Sequence, residues 1–338
     1  MARSPNEQAL IDRFSNTYKQ LTSSEIMMQI ELAVCGCSYG CTSWTTKAET
    51  LDILRLLDLG SGVRLLDIGS GTGWAGLYLA QETGCDVTLT DLPLDGLLIA
   101  QKRAEADGLT ARCIITQSDG AALPFRDATF DAIYHSDVLC CLVDKRGVLE
   151  SCRRVINPDG GRMAFSVIMI APGLSDADYA IAAAGGPTFI ETGTPYPELL
   201  EQTGWEITDH IDQTADYFDT FRNMYEHELA NKDEMIRVRG AALLDQHNAT
   251  LVPIERGLLR RELFRVASIF FTTLSPPKRC SSCLAIEAGS SPAASSSINT
   301  EAQPSGAGTS LRPSSPSRIP SSSSLRLAPA LPMAPTRA

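Results

Sequence analysis

Short apolar runs alternate along the chain with stretches whose apolar positions recur every three or four residues, the pattern of strands joined by crossover helices. The runs fall at Val63 to Ile68, Asp86 to Thr90, Arg112 to Gln117, Asp131 to His135, Arg162 to Ile170, Trp205 to Asp209 and Leu263 to Phe271. Between the first three, WAGLYLAQETG (74–84) and LDGLLIAQKRAEADG (94–108) have helical spacing and end on glycines suited to a helix stop. Strands alternating with helices in this way predict an α/β fold, a doubly wound and mostly parallel seven-stranded sheet.

Two additions flank that pattern. Residues 1–60 read as a helical N-terminal cap, interrupted by CGCSYGCTSWTT (35–46), and a polar-amphipathic helical insertion at about 214–250 precedes the last strand. Both are natural candidates to cover a pocket at the carboxyl ends of the strands. The sheet-forming region spans 61–274. Beyond it lies a Ser/Pro-rich tail, 275–338, with 16 Ser, 10 Pro and no aromatic residue from Pro276 onward. Such a composition cannot bury enough apolar surface to offset chain entropy, so the tail is expected to be disordered.

Charge sharpens the picture of partners. The net charge is -11, but residues 1–274 carry 23 Lys and Arg against 38 Asp and Glu, while the tail carries 6 against 2. A surface that acidic repels phosphate backbones and anionic membranes, which disfavours nucleic acid and favours a small or cationic ligand. No run of about 18 apolar residues occurs, and MARSPNEQALIDRFSNTYKQ lacks the apolar stretch of a secretory signal, so no membrane partner and a cytoplasmic location are expected. The ten cysteines repeat no disulfide or zinc framework; reduced thiols and no metal are the expectation.

The sharpest chemical signal is LLDIGSGTG (65–73), an apolar strand that ends in Asp67 and runs through Gly69, Gly71 and Gly73 into a helix. A glycine-rich strand-to-helix turn lets a ligand lie against the backbone beside helix amides, which implies a nucleotide-like ligand. Two classes compete. Gly71, Gly73 and Gly76 satisfy the dinucleotide fingerprint, and Asp91 at the end of the second strand suits a ribose in either case, so an NAD-dependent oxidoreductase is one reading. The Asp-x-Gly-x-Gly-x-Gly order beginning at Asp67 carries the other. It is followed in order by SDGAALPFRDATFDAI (118–133), YHSDVLCCL, and LESCRRVINPDGGRMAF (149–165). Together these resemble class I S-adenosylmethionine-dependent methyltransferases, in particular small-molecule enzymes with a type 11-like methyltransferase domain. The Asp159 inserted in NPDGGR departs from the family's Pro-Gly-Gly, a change a turn tolerates. YHSDVL stands where methyltransferases of nucleic-acid amino groups carry an Asn-Pro-Pro-Tyr motif, which argues against base methylation.

The resemblance implies a Rossmann-like methyltransferase fold with the last strand antiparallel, S-adenosylmethionine as cofactor, and methyl transfer to a small-molecule acceptor with release of S-adenosylhomocysteine. Gly69, Gly71 and Gly73 would allow close backbone approach, or merely form a tight turn. Asp67 would orient the methionine end, or cap loop amides. Asp91 would accept both ribose hydroxyls with Leu92 against the adenine. Asp119 would accept from the adenine amine, with the Gly120 backbone at the ring edge, a role rivalled by plain turn formation. His135, Ser136 and Asp137, at the end of the fourth strand, stand nearest the transferred methyl: Ser136 would contact the cofactor, and His135 or Asp137 would take a substrate proton. Tyr18 and Trp44 would close over a sulfonium, which aromatic faces attract, or pack the cap. Cys35, Cys37, Cys41, Cys140 and Cys141 admit a soft-metalloid site, against the plainer reading of small buried hydrophobes. The acidic segments 209–221 and 227–234 suggest a cationic acceptor. A non-catalytic adenosyl-binding protein is the remaining alternative.

Overall fold

The protein is described by a computed structural model over residues 3–40, 42 and 45–268. Cys41, Trp44, Phe271 and the tail 275–338 lie outside the described residues. Seven strands form one sheet: β1 (Arg64–Ile68), β2 (Asp86–Asp91), β3 (Cys113–Gln117), β4 (Ala132–Ser136), β5 (Arg162–Ile170), β6 (Trp205–Asp212) and β7 (Leu259–Ser268). Their order is β3-β2-β1-β4-β5-β7-β6. The first five are parallel, and β7 runs antiparallel to both β5 and β6. The chain steps outward from β1 to β3 and then returns to β4 on the other side of β1, so the order reverses between β1 and β4. A ligand crevice is expected there, outside the carboxyl ends of the strands.

Strand alternation builds two cores, one on each sheet face. Leu66, Ile133, Met163 and Phe165 belong to one cluster, while Leu65, Ala132, Tyr134 and Ala164 belong to the other. Because both faces are covered, the central strands read as nearly continuous apolar runs. The crossover helices are α4 (Gly76–Thr83), α5 (Leu94–Ala106) and α6 (Lys145–Val155). Gly84, at φ 72°, ends α4 and returns its N–H to the Ala80 carbonyl, as the sequence suggested.

The cap consists of α1 (Pro5–Ser23), α2 (Glu25–Cys35) and α3 (Lys47–Leu56). Ser4 with Glu7 and Thr46 with Glu49 form capping boxes that fix where α1 and α3 begin. After β5 come α7 (Asp176–Gly185) and α8 (Tyr196–Gln202), and after β6 the insertion, α9 (Thr214–Ala230), α10 (Lys232–Arg239) and α11 (Ala241–Glu255). Strand β7 starts four residues earlier than the apolar pattern predicts. Its first residues, Leu259, Arg260, Arg261 and Glu262, interrupt the apolar run with charge, yet Arg261 and Glu262 are buried against partners. Among the described residues no helix is long and apolar enough to cross a membrane.

Candidate active site

The turn after β1 is shaped by its glycines. Gly69, Gly71 and Gly73 all have positive φ (68°, 51° and 96°), a region that L side chains avoid. Gly69 and Ser70 donate to the Thr90 carbonyl at 2.7 and 3.1 Å, which ties the turn to β2. Across it α5 comes so close that a Cβ at Gly96 would stand 2.9 Å from the Gly71 backbone.

Two carboxylates at the ends of neighbouring strands meet this turn differently. Asp67 is buried and accepts from the Gly76 amide at 3.0 Å, in the first turn of α4; burial holds its carboxyl well above the usual range. Asp91 is half-buried and borders a cavity of about 280 Å³, accepting from the amides of Gly71 at 2.9 Å and Leu92 at 2.8 Å. Burial pushes Asp91 up to about 6, against the lowering effect of those amides. The same cavity is lined by Gly69, Gly71, Leu92, Ser136, Asp137 and Tyr18. These predicted residues therefore converge.

Others do not. Asp67, Gly73, Asp119 and Gly120 stand outside the cavity lining. A Cβ at Gly73 would strike Leu77 at 2.6 Å, so that glycine serves packing of the turn on its helix. Asp119 accepts from Ala121 N at 3.0 Å, capping a short 3-10 turn (Gly120–Ala122), and faces Arg3 at 3.6 Å near the surface. That geometry is the turn-forming alternative.

His135 is a correction. Ile133 and His135 share one face of β4, so His135 points into the sheet core, fully buried and stacked on Phe165 with centroids 4.7 Å apart. Burial lowers it to about 3, and neither ring nitrogen has a hydrogen-bond partner among the described residues. A neutral imidazole without access to the cavity cannot take a substrate proton. Ser136, on the opposite face, reaches the cavity.

Asp137 reaches it too, but as an anchor. Arg261, 1% exposed, donates through Nε to both Asp137 oxygens at 3.1 and 3.0 Å and pairs with Glu49 of the cap. Its remaining nitrogen donates to Thr45 Oγ1 at 3.0 Å and Ser166 Oγ at 3.1 Å. Burial alone would lower the Arg261 pKa, but Asp137 and Glu49 carry it above its ordinary value. The Asp137 oxygens are thus taken up by Arg261 and by Ser166 Oγ at 3.1 Å. The hub instead ties the cap, β4, β5 and β7 together, and Trp74 Nε1 adds a bond to the Thr45 carbonyl at 2.9 Å.

Tyr18 of α1 lies over the turn: a Cβ on Gly71 would stand 2.9 Å from its hydroxyl, which itself sits 3.5 Å from Asp91 Oδ2. Among the described residues the thiols do not gather. Cys35 and Cys37 pack in one core cluster and Cys140 in the other, with only Cys141 of the described cysteines on the cavity. The first acidic segment turns outward, Asp209 pairing with Arg265 and Asp219 with Arg222, whereas Glu228 of the second is buried against His247. What the first segment offers the cavity is Tyr217 and Phe221.

Residues 66–164 match the family model described as a methyltransferase domain. The chain is 30% identical over 174 residues to Methyltransferase GfsG of Streptomyces halstedii, an alignment covering 49% of this chain and 62% of that protein. It is 28% identical over 173 residues to an O-methyltransferase of Aspergillus nomiae, covering 49% and 75% respectively. It thus spans under two thirds of the first of these relatives. Among solved structures, the fold resembles the [4+2]-cyclase SpnF, with TM-score 0.60, 20% identity and coverage of 75% of this chain and 93% of that one. It also resembles a geranyl diphosphate C-methyltransferase of Streptomyces coelicolor A3(2), with TM-score 0.61, 12% identity and coverage of 80% and 100%. Residues 66–164 therefore carry a match to the methyltransferase domain model, set in a fold shared with these solved structures.

Proposed function

We propose that the protein transfers a methyl group from S-adenosylmethionine to an uncharged, largely apolar small molecule, releasing S-adenosylhomocysteine. The observation that carries this reading is the contrast between Asp67 and Asp91. A pyrophosphate binds at open amides of a helix start, and here the buried Asp67 carboxylate occupies the Gly76 amide. The amide that a pyrophosphate would use is already taken. A diol, by contrast, suits the half-buried Asp91 carboxylate on the cavity wall, so the residues present fit an adenosyl ligand better than a dinucleotide.

Gly69 and Gly71 would let that cofactor lie on the backbone, Asp91 would hold its ribose, and Leu92 and Tyr18 would cover it. When bound, it supplies an electrophilic methyl on a sulfonium. The protein's share of an in-line displacement is then to orient the acceptor and exclude water, which can supply most of the acceleration. Leu10, Ile11 and Phe14 of α1, Ile168 of β5 and Phe221 of α9 give the remaining wall a largely apolar surface, interrupted by Arg13, Gln246 and His247. This wall, with Asp209 and Asp219 paired at the surface, supports an uncharged acceptor over a cationic one.

The test is thermal unfolding of the full chain, stripped of copurified ligand, with S-adenosylhomocysteine or NAD, beside an Asp91→Ala variant. At about 100 times its dissociation constant a ligand adds roughly 2.7 kcal/mol, a rise of several degrees. The adenosyl ligand should raise the midpoint of the wild type and not of the variant. A response to NAD alone would overturn the reading, and adenosyl binding with no transfer to any acceptor would leave a binding protein.

A further inference from the structure

The ring and the hydroxyl of Tyr217, on α9, are held very differently. The ring is 2% exposed, meets Phe221 edge-on with centroids 5.9 Å apart at 70°, and lies against the Arg261 guanidinium, 5.9 Å from the ring centroid. The hydroxyl has no such employment. It makes no hydrogen bond to any described residue, although Asp137 and Arg261 stand close enough to act on its charge. Both Asp137 oxygens are engaged by Arg261, and one also by Ser166, so Asp137 does not take it up. Tyr196 also has an unbonded hydroxyl, but there the oxygen is sealed off by its neighbours; that of Tyr217 is not, and the residue lines the cavity together with Ser136, Asp137 and Cys141. Buried polar groups are as a rule hydrogen-bonded. An open, unspent hydroxyl on an otherwise enclosed ring points to a partner that arrives from the cavity.

We propose that the Tyr217 hydroxyl selects the methyl acceptor by donating a hydrogen bond to an uncharged oxygen on it, a carbonyl in the simplest case. This rests on the methyl-transfer reading above and names a class of acceptor within it. Burial, reinforced by the Asp137 carboxylate, holds the phenol well above its ordinary range, so it stays a neutral O–H donor. A carbonyl oxygen offers lone pairs and no hydrogens, the complement of that donor. An anionic oxygen fits less well, because Asp137 and Glu49 outnumber the one Arg261 they surround. An acceptor entering the cavity displaces water from the phenol. One with such an oxygen restores the hydrogen bond, whereas one without it leaves the O–H unpaired in a largely apolar wall, a difference of about 5- to 100-fold in selectivity.

Tyr217→Phe, made in the full chain, removes one oxygen and keeps the ring. Because the hydroxyl holds nothing in the ligand-free protein, thermal unfolding of the variant should match or exceed the wild type. A fall of the roughly 2–4 °C that one lost hydrogen bond costs in a domain of this size would give the hydroxyl a structural bond and overturn the proposal. Turnover with labelled S-adenosylmethionine is then measured on 3- and 4-hydroxyacetophenone, each beside the ethylphenol of the same shape, in which a methylene replaces the carbonyl. The intrinsic reactivity of each pair cancels when its ratio of kcat/KM is compared between the two proteins. The ketone-to-ethylphenol ratio should be about 5- to 100-fold higher in the wild type than in the variant. Equal ratios, or a wild type that binds S-adenosylhomocysteine yet methylates none of these phenols, overturn the role of Tyr217 and leave the methyl-transfer reading standing. Weaker S-adenosylhomocysteine binding by the variant also overturns it, by assigning the hydroxyl to the cofactor. Absence of S-adenosylhomocysteine binding by the wild type overturns the underlying reading and this inference with it.

Discussion

The two ends of the cavity are built by different means. At the end where we propose the cofactor lies, the glycine turn, Asp91 and Leu92 come from adjoining strands within a short span of chain, and their bonds are mainly backbone amides to one carboxylate. At the acceptor end, the wall is gathered from α1, β5, α7, α9 and α11, and one buried arginine near the carboxyl terminus of the domain ties the cap to the sheet. The first end is locally encoded and geometrically fixed by positive-φ glycines. The second is assembled by long-range pairing and can change its lining without touching the turn. A domain arranged this way keeps one cofactor while its acceptors diverge.

The strongest way to break the contrast is Arg261→Ala. It leaves the Asp137 and Glu49 carboxylates buried without their cation, a class of change that costs about 3–5 kcal/mol, and it frees the cap from β7. Chemical denaturation should show a loss of that size. A loss below about 1 kcal/mol would mean that the cap is held by its apolar contacts alone.

Asp91→Asn works the other end, in the opposite direction. Burial raises Asp91 from 3.8 to about 6, so the folded state binds its proton more tightly than the unfolded one. Its contribution to stability is fully present below pH 4 and is lost as pH rises to 6, by about 3 kcal/mol for a shift of that size. Asparagine does not pay that cost. The ligand-free variant should match the wild type near pH 4 and exceed it increasingly up to pH 7, while losing its response to S-adenosylhomocysteine. A wild type and variant with parallel pH profiles would show that Asp91 is as well solvated folded as unfolded.

The smallest effect is expected at Gly71→Ala. Left-handed backbone costs a non-glycine residue about 1–2 kcal/mol, and the new methyl would press on Tyr18. Equilibrium denaturation should register that penalty, with a weaker adenosyl ligand response in the same variant. An unchanged protein would mean that α1 yields freely.

How much was legible follows the same division. Strands β1 to β5, the glycine turn and Asp91 lie in contiguous patterns whose periods announce them. His135 was misplaced although the alternation of β4 contained the correction: neighbours in a strand face opposite ways, so His135 and Ser136 could not both face the cavity. Arg261 was hidden because a charged residue in a strand pattern reads as an exposed edge, and only the fold brings Asp137 and Glu49 to meet it. Glu228 showed only as part of an acidic segment, and its pairing with His247 had no local signal. They sit 19 residues apart on separate helices, and no motif joins them.

Tyr18 has a meaning beyond its contacts. Its ring lies against Gly71 and its hydroxyl near Asp91, where a ribose hydroxyl would sit. A ligand on Asp91 would therefore touch a side chain from the first helix as well as the sheet, so the grip on that end of the cavity is shared between two parts of the chain more than seventy residues apart.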